Sequence, residues 1–357
     1  MKGLFETLSL AHGPALRNRF VLAPLTNLQS HADGTLSEDE FRWLTMRAQG
    51  GFAITTTCAA HVQARGQGFP GQLGVFGDQH LAGLARLAAA IKAAGSLAIV
   101  QLHHAGMRSP PDLIGARPVC PSDDAETGAR ALTLAEAEQL AEDFVRAALR
   151  AERAGFDGVE VHGAHGYVLC QFLSPEINRR EDRYGGSPER RARILLDVVA
   201  GIRSRCGPDF VVGVRLSPER FGLRLAEIRD LAQRLMREGQ IDYLDMSLWD
   251  VDKEPEEEAF RGHSLLSYFT ELERGNVRLG AAGKIGSGPA AAAALAAGLD
   301  FAVVGQAGIL HHDFPERVRA DPGFSAVATP VSADYLRGEG VGEAFIGYLR
   351  RRSGFVA

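Results

Sequence analysis

Thr133–His162 reads TLAEAEQLAEDFVRAALRAERAGFDGVEVH, and its two halves follow different periods. From Leu134 to Ala154 the pattern is helical, with Thr133 placed as an N-cap and Gly155 closing the far end. Gly158–His162 then forms a short, nearly continuous apolar run of the kind found in parallel strands covered on both faces. A helix that hands over to such a strand within a few residues is half of a βαβ repeat.

The alternation extends in both directions. Short apolar runs recur at Arg19–Leu25, Phe52–Thr57, Leu97–Gln101, Gly158–His162, Phe210–Leu216, Tyr243–Met246, Val277–Ala281 and Phe301–Val304. Helical patterns lie between them at Glu38–Gln49, His80–Ala94, Leu134–Ala154, Pro188–Cys206, Ala226–Glu238 and Gly288–Ala297. Most end at a glycine, and Ser187-Pro188 opens one with an N-cap and a proline at the first helical position. Eight β-then-α units make a (β/α)₈ TIM barrel most economically. A doubly wound sheet calls for a glycine-rich first βα turn, and Thr26-Asn27-Leu28-Gln29 stands there instead. The expected organisation is a single barrel domain over residues 1–321, with a proline-rich insertion at 103–132 after strand 3. A C-terminal extension, 322–357, is expected to pack on or near the barrel.

Composition narrows the function. The chain has 357 residues, 39 Lys+Arg against 44 Asp+Glu, and a net charge of −5, so it lacks the positive field of a nucleic-acid binder. No stretch reaches the ~20 apolar residues of a membrane span. The N-terminus has no apolar signal core and meets Glu6 at once. Cys58, Cys120, Cys170 and Cys206 show no C-x-x-C spacing. A reduced, cytoplasmic protein without a cysteine-held metal centre is expected, with a homo-oligomer left open.

In such a barrel the site is built from strand C-terminal ends. Those ends carry Ala23-Pro24-Leu25-Thr26, Cys58-Ala59-Ala60, Gln101, His162 to Tyr167, Arg215, Ser247, Gly283-Lys284-Ile285-Gly286 and Gly305-Gln306. His162, His165 and Tyr167 stand out: two imidazoles can hold a carbonyl oxygen while a phenol delivers a proton. With His103 or His104 as a third ligand the same histidines would make a zinc site, the basis of an alternative metal-dependent lyase or hydrolase. Arg215, inside an apolar strand, needs an anionic or carbonyl partner, and Glu160 is one internal candidate. Gly283, Gly286 and Gly305 would admit an anion close to the backbone, although glycines at such turns are also ordinary turn residues.

The segments Asn18–Thr26, Gln101–Gly106, Gly213–Ser217 and Val303–Gly305 carry a family resemblance. The long string GFDGVEVHGAHGYVLCQFLSPEINRREDRYGGSPER over Gly155–Arg190 carries it most specifically. The sequence resembles the Old Yellow Enzyme family, the FMN-dependent ene-reductases. The resemblance implies FMN at the barrel mouth and no metal. Ala23, Pro24, Leu25 and Thr26 would run along the flavin, and Ala60 would lie beside the ring. Gln101 and Arg215 would grip the pyrimidine end, and Ser247 counts with the cofactor-binding residues. Gly283, Lys284, Gly305 and Gln306 would form the phosphate loops. His162 and His165 would hold the substrate oxygen and Tyr167 would donate the proton. The implied reaction is ping-pong: NADH or NADPH reduces the flavin and leaves, and an enone-like α,β-unsaturated carbonyl or nitro compound takes its place. Three positions depart from the family pattern. Gln306 replaces a phosphate-binding arginine, for which Lys284 is the candidate substitute, and Thr26 and Leu28 replace a cysteine and a tyrosine of one bacterial subgroup. The acidic loop after strand 6, with Asp250, Asp252, Glu254, Glu256, Glu257 and Glu258, predicts a field that repels the extra phosphate of NADPH.

Overall fold

A computed structural model describes residues 3–357; Met1 and Lys2, the start of the expected barrel segment, lie outside the described residues. Eight strands close into one parallel barrel: β1 (Phe20–Leu22), β2 (Ile54–His61), β3 (Leu97–His103), β4 (Gly158–Gly163), β5 (Val211–Leu216), β6 (Tyr243–Ser247), β7 (Arg278–Ala282) and β8 (Phe301–Val304). Phe20 pairs with Ala302 and Val21 with Ile54, so β1 joins β8 to β2 and leaves no edge. β1 is shorter than the apolar run that announced it, because Pro24 has no N–H to give to a ladder.

The outer helices follow the expected pattern closely. They are α1 (Glu38–Gln49), α2 (Leu81–Ala93), α3 (Leu134–Arg153), α4 (Pro188–Arg205), α5 (Leu225–Glu238) and α6 (Gly288–Ala296), joined by shorter helical turns. The opening of α3 shows why. Thr133 Oγ1 accepts the N–H of Glu136 and the Glu136 carboxylate accepts the N–H of Thr133, a reciprocal cap at the first turn. One face of α3, with Leu140, Phe144, Val145 and Ala148, is then buried against the barrel. No long helix follows β6; a 3-10 turn at Glu258–Phe260 and the short helix Ser267–Thr270 stand there.

The insertion after β3 is anchored by a two-residue ladder, Val119–Cys120 against Arg130–Ala131. The C-terminal segment returns across α1. Phe345 meets Trp43 edge-on with ring centroids 5.1 Å apart, and the N–H of Gly342 donates to Gln29 Oε1 at 2.7 Å. Leu336, Ile346 and Leu349 are fully buried in the same core as the barrel helices. Among the described residues no helix is long and apolar enough to cross a membrane.

Candidate active site

A cavity of about 1050 Å³ opens at the C-terminal ends of the strands. Ala23, Pro24, Leu25, Thr26, Gln101, His162, His165, Tyr167, Arg215, Ser247, Gly283, Lys284, Gly305 and Gln306 all line it. Ala60 does not. It is fully buried in the core, and its neighbour Ala59 faces the cavity instead. The ladder between β2 and β3 shifts register between Thr56 and Ala59, and an extra residue there inverts which side chains point inward.

The histidine–tyrosine wall is built by a tight turn after β4. His165 and Gly166 both adopt the left-handed conformation, with φ of 61° and 70°. That reversal returns the chain so that Tyr167 lies beside the strand it has just left. The rings of His162 and His165 have centroids 5.0 Å apart, and His162 and Tyr167 5.4 Å. The turn is held from both sides: Gln171 Nε2, on the short helix Val168–Leu173 that follows it, donates to the carbonyl of Gly166 at 2.8 Å, and Arg108 Nη1, from the insertion after β3, donates to that of His165 at 2.5 Å. The Arg108 guanidinium also lies 4.8 Å above the Tyr167 ring.

Tautomers follow from the backbone. The N–H of Ala164 donates to His162 Nδ1 at 3.3 Å, so the neutral imidazole carries its proton on Nε2 and offers it as a donor. His165 Nε2 is 2.7 Å from Ser247 Oγ, so Ser247 orients this imidazole while lining the cavity itself. Burial drives the His162 pKa well down and brings that of His165 to about 3, so both rings are neutral near pH 7. Burial raises the Tyr167 pKa, and the neighbouring Arg108 cation offsets part of the rise. The phenol is therefore protonated at neutral pH, as a proton donor must be.

Two buried carboxylates anchor the cavity floor. Gln101 Nε2 donates to Glu160 Oε1 at 2.7 Å. Arg215 Nε stands 3.0 Å from Asp245 Oδ2, with the two side chains 5% and 1% exposed. Asp245, not Glu160, is thus the close partner of Arg215, and β5 pairs Arg215 directly against it on β6. The contact is an ion pair without an aligned hydrogen bond, since Nε and both Asp245 oxygens lack an aligned partner. Glu160 is pushed up to about 7, first by burial and then by Asp245, and Asp245 is also raised by burial.

The metal alternative fails on geometry. Among the described residues the one cluster with three ligand atoms within 4.8 Å of one another is His312, Asp313 and Glu339, none of which lines the cavity. His103 Nδ1 instead accepts from Gln72 Nε2 at 3.0 Å, and its ring meets that of Tyr167 edge-on with centroids 4.3 Å apart.

The lining suits an anionic, planar cofactor. Its described residues include no carboxylate and four cations, Arg108, Arg215, Lys284 and Arg352. A Cβ added to Gly286 or Gly305 would meet protein only at 3.8–3.9 Å, so the missing side chains leave backbone N–H groups open to the cavity. Gly283 has a different reason: its Cβ would press within 2.7 Å of the backbone of Val251. FMN has the matching parts, a phosphate dianion at one end and an electron-accepting ring at the other. Gly286 and Gly305 would hold the first, and Gln101 and Arg215 the second, where a cation stabilises charge on the reduced ring.

The fold and this cavity define an FMN-dependent barrel oxidoreductase. The profile of the NADH:flavin oxidoreductase / NADH oxidase family matches residues 3–321, and the chain belongs to that family, which includes the Old Yellow Enzymes. Its enzymes use FMN with NADH or NADPH as electron donor. The chain is 38% identical over 316 residues to a protein of Bacillus subtilis named Probable NADH-dependent flavin oxidoreductase, covering 85% of this chain and 84% of that one. It is 38% identical over 258 residues to the NADH:fumarate oxidoreductase of Klebsiella pneumoniae, but spans only 28% of that protein's length. Among solved structures, morphinone reductase in complex with tetrahydroNAD superimposes with a TM-score of 0.79 at 30% identity, covering 100% of this chain and 98% of that one. The Old Yellow Enzyme homologue from Zymomonas mobilis gives 0.79 at 27%, covering 94% and 96%.

Several lining residues leave no trace in a reading of strand ends. Arg108 comes from the insertion, Phe221 and Trp249 from loops at the rim, and Tyr348 and Arg352 from the C-terminal segment.

The buried imidazoles predict acid sensitivity. His61, His104 and His165 have native pKa values near 4, 3 and 3, below the unfolded value of about 6.5. In each case the unfolded chain binds the proton first. The stabilisation is complete above about pH 6.5 and is lost as the pH falls, by about 1.4 kcal/mol per pH unit per group. Glu160, raised to about 7, opposes one of the three, because the folded state protonates it first. Urea unfolding at pH 7, 5.5 and 4.5 is expected to show a falling midpoint. A flat or rising midpoint would contradict the assignment of neutral buried rings.

Proposed function

We propose that this enzyme reduces the activated C=C bond of α,β-unsaturated carbonyl or nitro compounds in a ping-pong cycle. The nicotinamide cofactor and the alkene occupy the same cavity in turn. The net reaction consumes the alkene, NAD(P)H and one proton and yields the saturated product and NAD(P)⁺. FMN, when bound, supplies the two-electron chemistry that links the two halves.

The observation that carries this reading is the convergence of His162, His165 and Tyr167 on one wall of a cavity whose floor is Gln101 and Arg215. His162 donates from Nε2 to the carbonyl or nitro oxygen, and His165, steadied by Ser247, completes the cradle. Polarising that oxygen draws electron density from the β-carbon. Tyr167 then gives its proton to the α-carbon, and solvent restores it. Phe221 and Trp249 flank the mouth with aromatic surface against which a flat substrate can lie. Initial rates with NADH and 2-cyclohexenone, plotted as double reciprocals, are expected to give parallel lines. Intersecting lines would rule out ping-pong turnover through a shared cavity.

Two of the six carboxylates in the acidic loop after β6 are paired with cations. Asp250 pairs with Lys284 at 2.8 Å, and Glu256 pairs with Arg220 and Lys253. The Glu257 carboxylate accepts the N–H of Leu225. None of the six carboxylates lines the cavity. With two of the six paired and none in the lining, the field predicted against NADPH reaches the cavity weakened by pairing and screening. Changing Glu256, Glu257 and Glu258 to Gln is expected to leave the ratio of kcat/KM for NADH and NADPH flat at low salt. A marked shift of that ratio towards NADPH would restore the loop's role.

A further inference from the structure

We propose that the guanidinium of Arg352, on the C-terminal segment, is the cation that holds the FMN phosphate. A phosphomonoester carries nearly two negative charges at pH 7 and needs a cation as well as backbone N–H groups. Gln306, beside the open Gly305, brings no charge.

Four cations line the cavity, and three already have partners. Arg215 is paired with Asp245 at the floor. Arg108 is held by the carbonyl of His165 and stacks on Tyr167, at the histidine wall. Lys284 follows Gly283, but its ammonium is 2.8 Å from Asp250, its side chain is 75% exposed, and its charge is compensated. Arg352 makes no ion pair and donates no side-chain hydrogen bond among the described residues; its guanidinium lies 5.9 Å from the Tyr348 ring.

Its backbone is tied to the glycine-loop side of the cavity by a run of hydrogen bonds. Ala326 N–H donates to the carbonyl of Gly286 at 2.8 Å, and Ala326–Thr329 line the cavity from there. Val331 N–H donates to the carbonyl of Phe355 at 3.1 Å, and Phe355 N–H donates to the carbonyl of Arg352 at 3.1 Å. The turn that carries Arg352 is thereby pinned to the segment that runs away from Gly286. A guanidinium presents a fork that matches two phosphate oxygens, so it suits this end better than an ammonium.

The proposal rests on FMN as the cofactor, and riboflavin separates the two questions, since it keeps the ring and lacks the phosphate. Apoprotein is titrated into each flavin and the quenching of flavin fluorescence is followed. Tight FMN binding by the wild type tests the cofactor; the variants test Arg352. Arg352→Met is expected to weaken FMN by about 10–100-fold, the loss of a charge-assisted contact, and to leave riboflavin unchanged. Arg352→Lys is expected to recover part of the FMN affinity. Arg351→Met removes the same charge from a neighbour outside the cavity lining and is expected to leave both affinities unchanged. FMN affinity unaltered by Arg352→Met would overturn the proposal. So would equal weakening of FMN and riboflavin, which would make Arg352 a structural residue.

Discussion

Replacing Tyr167 with Phe is expected to slow reoxidation of the reduced enzyme by 2-cyclohexenone by about 10²–10⁴-fold, the usual contribution of a positioned general acid. Reduction by NADH is expected to be almost unaffected, because that half-reaction needs no proton on carbon. The asymmetry follows from the geometry. Tyr167 forms part of the wall with His162 and His165, is held by the left-handed turn at His165 and Gly166, and loses only its hydroxyl in the change. The phenylalanine ring fills the same space under Arg108, so the fold and the cavity shape persist. Stopped-flow measurement of each half-reaction decides. Equal slowing of both would remove Tyr167 from the proton-donor role.

A comparable loss, of stability as well as function, is expected when Arg215 is replaced with Met. Its guanidinium is the cation facing Asp245, with Glu160 anchored nearby through Gln101. Without it two carboxylates remain buried with no counter-charge. Breaking a buried pair from one side costs about 3–5 kcal/mol. The cost depends on pH in a defined direction. Asp245 and Glu160 already have raised pKa values, and losing the cation raises both further, so each is neutral in the folded variant until a higher pH. The deficit is therefore largest near pH 8 and shrinks as the pH falls towards 5. Adding Asp245→Asn to Arg215→Met is expected to recover part of the loss. Urea unfolding of the wild type, the single and the double variant at both pH values checks this. A single variant as stable as the wild type at pH 8 would contradict the buried ion pair. FMN affinity is expected to fall in both variants, because both lack the cation that would face the ring's pyrimidine end.

Much of the barrel was legible because its signals are local. Thr133 with Glu136, Ser187 with Pro188, and the eight apolar runs each report on neighbours within a few residues, and the structure reproduces them. The site was legible as far as strand ends define it, which covers the histidines, Tyr167, Arg215 and the glycine loops. What escaped depends on distance or on phase. Asp245 lies inside Tyr243–Ser247 and passes for part of an apolar run, although it is the close ionic partner of Arg215 thirty positions earlier. Ala59 and Ala60 exchange places because one irregular step in β2 reverses the alternation that assigns inward-facing residues. Arg108 and Arg352 reach the cavity from an insertion and from the C-terminal segment, and neither carries a periodic pattern that says where it folds back. Composition also counts the six carboxylates of the acidic loop but not Lys284 and Arg220, which come from other loops to pair with Asp250 and Glu256.

The central claim is that one cavity accepts reducing equivalents from a nicotinamide and passes them to an activated alkene. The most direct measurement is anaerobic stopped-flow absorbance of the FMN-loaded protein. Mixing with one equivalent of NADH or NADPH is expected to bleach the flavin bands. Mixing the bleached enzyme with excess 2-cyclohexenone is expected to restore them, with one equivalent of saturated ketone formed. A flavin that stays bleached in the presence of excess enone and nitroalkene, and regains its colour only on admission of oxygen, would contradict the account.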